Sequence, residues 1–141
     1  MGLGLGRKSD SILCMDSFTD LEAWKSGMEL VKEIYRITDR LPADERFGLI
    51  SQLRRASVSV LANLAEGFSR SSPADKAHKY TISRGECSEV EALLLITVEL
   101  NQCDVDEVQP AIALVNRTGR LLSGLIRTYT SQSQPHTQPH V

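Results

Sequence analysis

From Phe18 to Tyr129 apolar side chains recur every three or four positions in four successive stretches, and nowhere do they alternate in the period-two manner of a strand. Such a chain can bury its apolar residues only by laying helix on helix. The first stretch, Phe18 to about Arg40, carries one stripe of Phe18, Leu21, Trp24, Met28, Val31, Tyr35 and Thr38 and a second of Ala23, Gly27, Leu30, Ile34, Ile37 and Leu41. A face that broad meets two neighbours. Its far side holds Glu22, Lys25, Glu29, Lys32, Glu33 and Arg36 at spacings that suit solvated ion pairs. Leu41-Pro42 breaks the pattern.

A second helix is predicted over about Ala43 to Gly67, with Phe47, Ile50, Leu53, Ser57, Val60, Leu61, Leu64 and Phe68 toward the core and Gly67 closing it. Ser72-Pro73 with Asp75 reads as an N-cap, a first-turn proline and an acidic first turn, starting a third helix that runs to about Gln102. The fourth begins at Asp104, with Glu107 completing a capping box, and continues to about Thr130; Pro110 falls in its first turns, where it costs least. The connections left between these segments are short, which makes sequential neighbours antiparallel. The expected fold is all-α: an antiparallel up-down-up-down four-helix bundle over residues 17–130. Residues 1–16, with glycine at positions 2, 4 and 6, read as a flexible arm with neither a signal-peptide core nor a membrane span, and Met15 is an alternative start to Met1. Residues 131–141 read as a disordered tail.

Sixteen Lys and Arg against eighteen Asp and Glu leave a formal charge of −2, so no global field draws the chain to nucleic acid or to an anionic membrane. Any such binding needs a local patch. Cys14, Cys87 and Cys103 are odd in number and form no C-x-x-C pair, which argues against a disulfide framework and a structural zinc site and fits a reducing cytoplasm. A di-iron bundle would need Glu-x-x-His on two helices. The folded region offers His78 alone, preceded at three residues by Asp75, while His136 and His140 flank Pro139 in the tail. The same His78 is the sole candidate base for a nucleophile, and the N-terminal GLGLG lacks the Lys-Ser/Thr of a phosphate loop. No metal, cofactor or catalytic residue is therefore expected.

More informative is Ser51 to Gly67, where Ala56, Ser57, Ser59, Ala62, Asn63, Ala65 and Gly67 let two other backbones approach closely. Arg54 shares a face with Ile50, Ser57 and Leu61, so its guanidinium needs a carboxylate, with Glu66, Glu86, Glu89 and Glu91 as candidates and Asn63 in the same network. The alternative is RNA contact by Arg54 and Arg55. Gly27, Gly85, Gly119 and Gly124 each cost up to about 1 kcal/mol against alanine in a helix interior, and at core-facing positions they point to close contact between helices or between subunits. Arg117, Arg120 and Arg127 form a basic stripe on the fourth helix with no acid after Glu107, and Arg70, Lys76 and Lys79 a second cluster at the turn between helices two and three. Each reads either as a phosphate-binding patch or as a solvated face.

Asp20-Leu21 with Trp24-Lys25, Phe47-Gly48-Leu49, the block SQLRRASVSVLANLAEGFSR at 51–70, Arg84-Gly85 with Ser88-Glu89, and Gly124-Leu125-Ile126 together resemble the small four-helix-bundle proteins encoded in intervening sequences of bacterial large-subunit (23S) ribosomal RNA genes. The chain departs from that pattern at Leu61, usually proline, and at Glu86, usually serine. The resemblance implies a bacterial, cytoplasmic, non-enzymatic bundle similar to the accessory proteins of diversity-generating retroelements, which form pentameric rings and bind nucleic acid and a reverse transcriptase. It makes Arg54, Arg55, Asn63, Glu66 and Gly67 structural hallmarks and brings no catalytic residue. The expectation is a ring-like homo-oligomeric adaptor whose partners are itself and RNA or a ribonucleoprotein, reached through Arg117, Arg120, Arg127, Arg70, Lys76 and Lys79. A protein-interaction scaffold without nucleic acid is the alternative.

Overall fold

The structure, a computed structural model, describes residues 17–135. Residues 1–16 and 136–141, which include Cys14, Met15, His136 and His140 and most of the expected arm and tail, lie outside the described residues. A 3-10 turn, Phe18–Asp20, leads into four helices: α1 (Glu22–Thr38), α2 (Leu49–Ser69), α3 (Pro73–Glu99) and α4 (Val105–Ser133). There is no strand among the described residues.

α2 and α3 pack most extensively, as do α3 and α4, while α1 closes the bundle against α2 and α4. Along the α2/α3 seam the pairings run in opposite senses. On α2 and α3, Glu66 meets Lys79, the Ser83 hydroxyl donates to the Val60 carbonyl at 2.6 Å, and Arg55 meets Glu86 and Glu89. The core between the helices is aliphatic, with Leu30, Ile34, Leu53, Val60, Leu64, Val90, Leu94 and Leu122 fully buried and Tyr80 as its one large aromatic. Polar side chains admitted to it are satisfied: Ser26 and Thr118 share a 2.7 Å hydrogen bond between α1 and α4, and the Thr38 and Thr97 hydroxyls donate to carbonyls one turn back.

Helix ends follow local chemistry more closely than the periodicity alone would place them. Ser72 Oγ accepts from the Asp75 N–H at 3.1 Å, as the N-cap reading requires. α3 stops at Glu99 rather than Gln102, because Asn101 enters the left-handed region (φ 57°). There the Asn101 N–H reaches the Val98 carbonyl and the Gln102 N–H reaches the Thr97 carbonyl, a Schellman closure with asparagine in the glycine position. The expected second helix from Ala43 is a correction: Ala43–Glu45 form a 3-10 turn and α2 begins at Leu49, its N–H held by Glu45 Oε2 at 3.1 Å. Phe47, expected in the core, is consequently 89% exposed. The Asp104 side chain makes no cap bond, so the expected capping box is absent, and α4 runs three residues past Thr130 to Ser133. Gly67 does not end α2 but sits inside it, buried against Tyr80, where an added Cβ would lie 2.8 Å from Cε1.

Candidate nucleic-acid interface

On α4 the polar positions Asn116, Gly119, Arg120, Ser123 and Arg127 recur at helical spacing and therefore share one side of the helix. α3 lies against that side and contributes Arg84, Ser88 and Glu91. The two helices together enclose a surface groove of about 530 Å³ with Cys87 and Val115 at its base. Arg84 is drawn across it, its Nη1 donating to Ser123 Oγ at 3.3 Å. Three arginines thus face one carboxylate, Glu91, and none of the three forms an ion pair among the described residues. Guanidinium groups left unpaired beside hydroxyl and amide donors suit an anion with several oxygens, above all phosphate. Burial pushes the Cys87 thiol up to about 12, with the nearby Glu86 charge adding to it, so the base of the groove presents no thiolate at neutral pH.

The groove gains depth from a missing side chain. A Cβ added at Gly119 would meet nothing within 4 Å, and the same holds at Gly85. Gly85 is exposed, Gly119 half-buried, so the expectation that these glycines face the core is corrected; open space, not close packing, surrounds them. Gly27 is the contrasting case, its added Cβ falling 2.7 Å from Leu61 Cδ2. Here the small residue does let two helices approach.

A sequence model of the 23S rRNA-intervening sequence protein family matches residues 19–124. The chain belongs to that family. Among solved structures, the chain is similar to a protein of unknown function from the S23 ribosomal protein family of Bacteroides thetaiotaomicron VPI-5482, with a TM-score of 0.69 at 21% identity over 74% of this chain and 98% of that one. At that identity the likeness speaks for the fold. Comparison with curated proteins gives no match. The matched span takes in the groove from Arg84 to Ser123 and leaves Arg127 beyond its end.

The family member's signature residues turn out to be spread over separate contacts. Arg54 finds Asp39, at 2.9 Å, not any of the glutamates expected for it; its Nε donates to Thr38 Oγ1 and its guanidinium lies 4.5 Å from the centre of the Tyr35 ring. Those contacts tie α2 to the end of α1, where Asp39 supplies a carboxylate outside the expected set of glutamates. Arg55 is the residue that reaches α3, where it binds Glu89 and lies 3.6 Å from Glu86 Oε2. That Glu86 oxygen is buried without a hydrogen-bond partner. Burial, then the hydrogen bond and charge of Glu89, hold the Glu86 carboxyl above the usual range, while Arg55 holds Glu89 below it. Asn63 is not in that network; its Nδ2 donates to the Ser59 carbonyl one turn back. Glu66 pairs with Lys79 at 2.7 Å.

The six cationic candidates separate in the same way. Arg120 and Arg127 line the groove, whereas Arg117 turns toward α1, where its Nη2 lies 3.9 Å from Glu22. Lys76 donates to the Phe68 carbonyl at 2.6 Å and sits over the Phe68 and Tyr129 rings, so it caps the end of α2; burial lowers its pKa. Lys79 is taken by Glu66, and with Arg70, Asp75 and His78 it borders a small hollow of about 220 Å³. Arg84 escaped the sequence reading of charge because it is the one arginine of α3, five residues past Lys79, and joins the α4 arginines only when the helices pack. Among the described residues no three metal-binding side chains gather, and no helix is long and apolar enough to cross a membrane.

Proposed function

We propose that this chain is a non-enzymatic, homo-oligomeric adaptor of the bacterial cytoplasm, an up-down-up-down bundle that assembles into a ring, pentameric by resemblance, and engages RNA or a ribonucleoprotein through the α3/α4 groove. The observation that carries the reading is the convergence of Arg84, Arg120 and Arg127 on one groove with a single acid and no ion-pair partner. The opposed pairings along the α2/α3 seam support the bundle topology. Phosphate contacts release counterions, so affinity falls steeply with salt. In the test, structured RNA is passed over the immobilised protein at rising salt. Retention at low salt that disappears at moderate salt, and its loss in the triple variant R84Q/R120Q/R127Q, are the expected results; retention unchanged in that variant removes the groove from the reading. A solution mass equal to one chain at micromolar concentration removes the ring.

A second reading, a protein-interaction scaffold without nucleic acid, draws on the apolar hollow between α1 and α2, which is lined by Trp24, Met28, Val31, Val58, Leu61, Ala62 and Ala65. Retention of no RNA at any salt, together with a multimeric mass, favours it.

A further inference from the structure

We infer that the α3/α4 groove grips the sugar–phosphate backbone of paired RNA, with Gly119 setting the clearance that lets the strand sink between the arginines and no base being read. The inference rests on the RNA reading above and adds to it the form of RNA and the residue that admits it. No aromatic side chain lines the groove; Phe18, Trp24 and Phe68 cluster with one another, and Tyr80 and Tyr129 pair at 5.8 Å. Single strands are held largely by stacking of exposed bases on such rings, so this groove has no platform for them. What it offers instead is phosphate and ribose chemistry: guanidinium groups from both helices, and the Ser88, Ser123 and Asn116 side chains between them. Arg84 is already pinned across the groove by Ser123, which reduces the freedom lost when it meets a phosphate. Between these donors the α4 backbone lies bare at Gly119, with nothing within 4 Å of where a Cβ would stand. A glycine there forgoes helix stability without relieving any internal contact, and the groove is the feature that its absence of a side chain opens.

The test separates this inference from the reading beneath it. The full chain is titrated with a blunt RNA duplex of mixed sequence and with either strand alone, as wild type, Gly119→Leu and R84Q/R120Q/R127Q, with solution mass and thermal midpoint recorded for each. The leucine changes no charge, and its Cβ meets no atom within 4 Å. Expected are tighter binding of the duplex than of the strand, a loss of about tenfold or more for the duplex in Gly119→Leu at unchanged mass, and a salt slope lowered by about 1 for each arginine removed. Arg84→Gln alone, a milder variant, is expected to weaken the duplex several-fold. Duplex binding that survives Gly119→Leu but not the triple variant overturns the inference and leaves the RNA reading standing. So does a strand that binds as well as the duplex. A Gly119→Leu protein that changes its oligomeric mass overturns it by making the groove a subunit contact, and wild-type protein that binds neither probe at low salt overturns both.

Discussion

Two of the surface clefts, one between α1 and α2 and one between α3 and α4, differ in what forms their floors. The α1/α2 hollow, about 350 Å³, is lined by apolar side chains alone and rests on Leu61, which lies packed against Gly27. The α3/α4 groove, about 530 Å³, is lined by three arginines, two serines, an asparagine and the single carboxylate of Glu91 over an open glycine. The same helix-on-helix geometry thus yields a surface suited to another apolar surface on one side and to a polyanion on the other. A glycine that seats a neighbouring side chain is structural, and one that faces empty space is available for a ligand.

The largest expected effect comes from filling the first kind of glycine. Gly27→Leu forces Leu61 and the helix behind it to move, and overpacking of that kind costs about 3 kcal/mol, read from denaturant midpoints. Gly119→Leu leaves the midpoint the same or higher; equal losses in the two variants would erase the contrast. Next in size is the division among the α4 arginines. Arg120→Gln is expected to weaken RNA retention by about tenfold, one phosphate contact worth roughly 1.4 kcal/mol, while Arg117→Gln, directed at Glu22, leaves it near wild type. Similar losses for both place the interface on the wider α4 surface and not in the groove.

A third prediction concerns the α2/α3 seam that separates the two clefts. A carboxyl whose folded pKa is raised binds its proton more tightly when folded, so Glu86 costs stability as pH rises past the ordinary glutamate value and through its own. Glu89, lowered by Arg55, acts in the opposite sense, its contribution being lost as pH falls through its folded pKa. Glu86→Gln removes the charge of a buried oxygen that accepts no hydrogen bond and lies 3.6 Å from Arg55, and is expected to stabilise the fold by about 1 kcal/mol at neutral pH, with the gain shrinking toward pH 4. A gain of the same size at both pH values would show that charge is not its origin. The smallest effect is Gly119→Ala, a helix-propensity gain of less than about 1 kcal/mol with little change in RNA retention, measurable as a small rise in thermal midpoint.

The four helices were legible from spacing because each buries a continuous stripe, and the start of α3 was legible because Ser72 and Pro73 carry a local cap that needs no partner. Phe47 was misread for the converse reason: its spacing continued the stripe of α2, but the 3-10 turn at Ala43–Glu45 put it outside the helix. Two of the three arginines of the basic stripe line the groove and the third does not. Arg120 and Arg127 stand about two helical turns apart on a face that α3 borders, and Arg117 is rotated toward α1, a difference of orientation that has meaning only once the neighbours are in place.

Local order along the chain was enough to establish an all-helical fold and its family, since amphipathic spacing, caps and a compact signature block act over a few turns. Which arginines stay unpaired, which glycines lie open and where Arg84 joins α4 depended on the packing of the helices. Those properties belong to pairs of residues far apart in the chain, and a charge or a gap becomes a site only when another helix supplies its opposite wall.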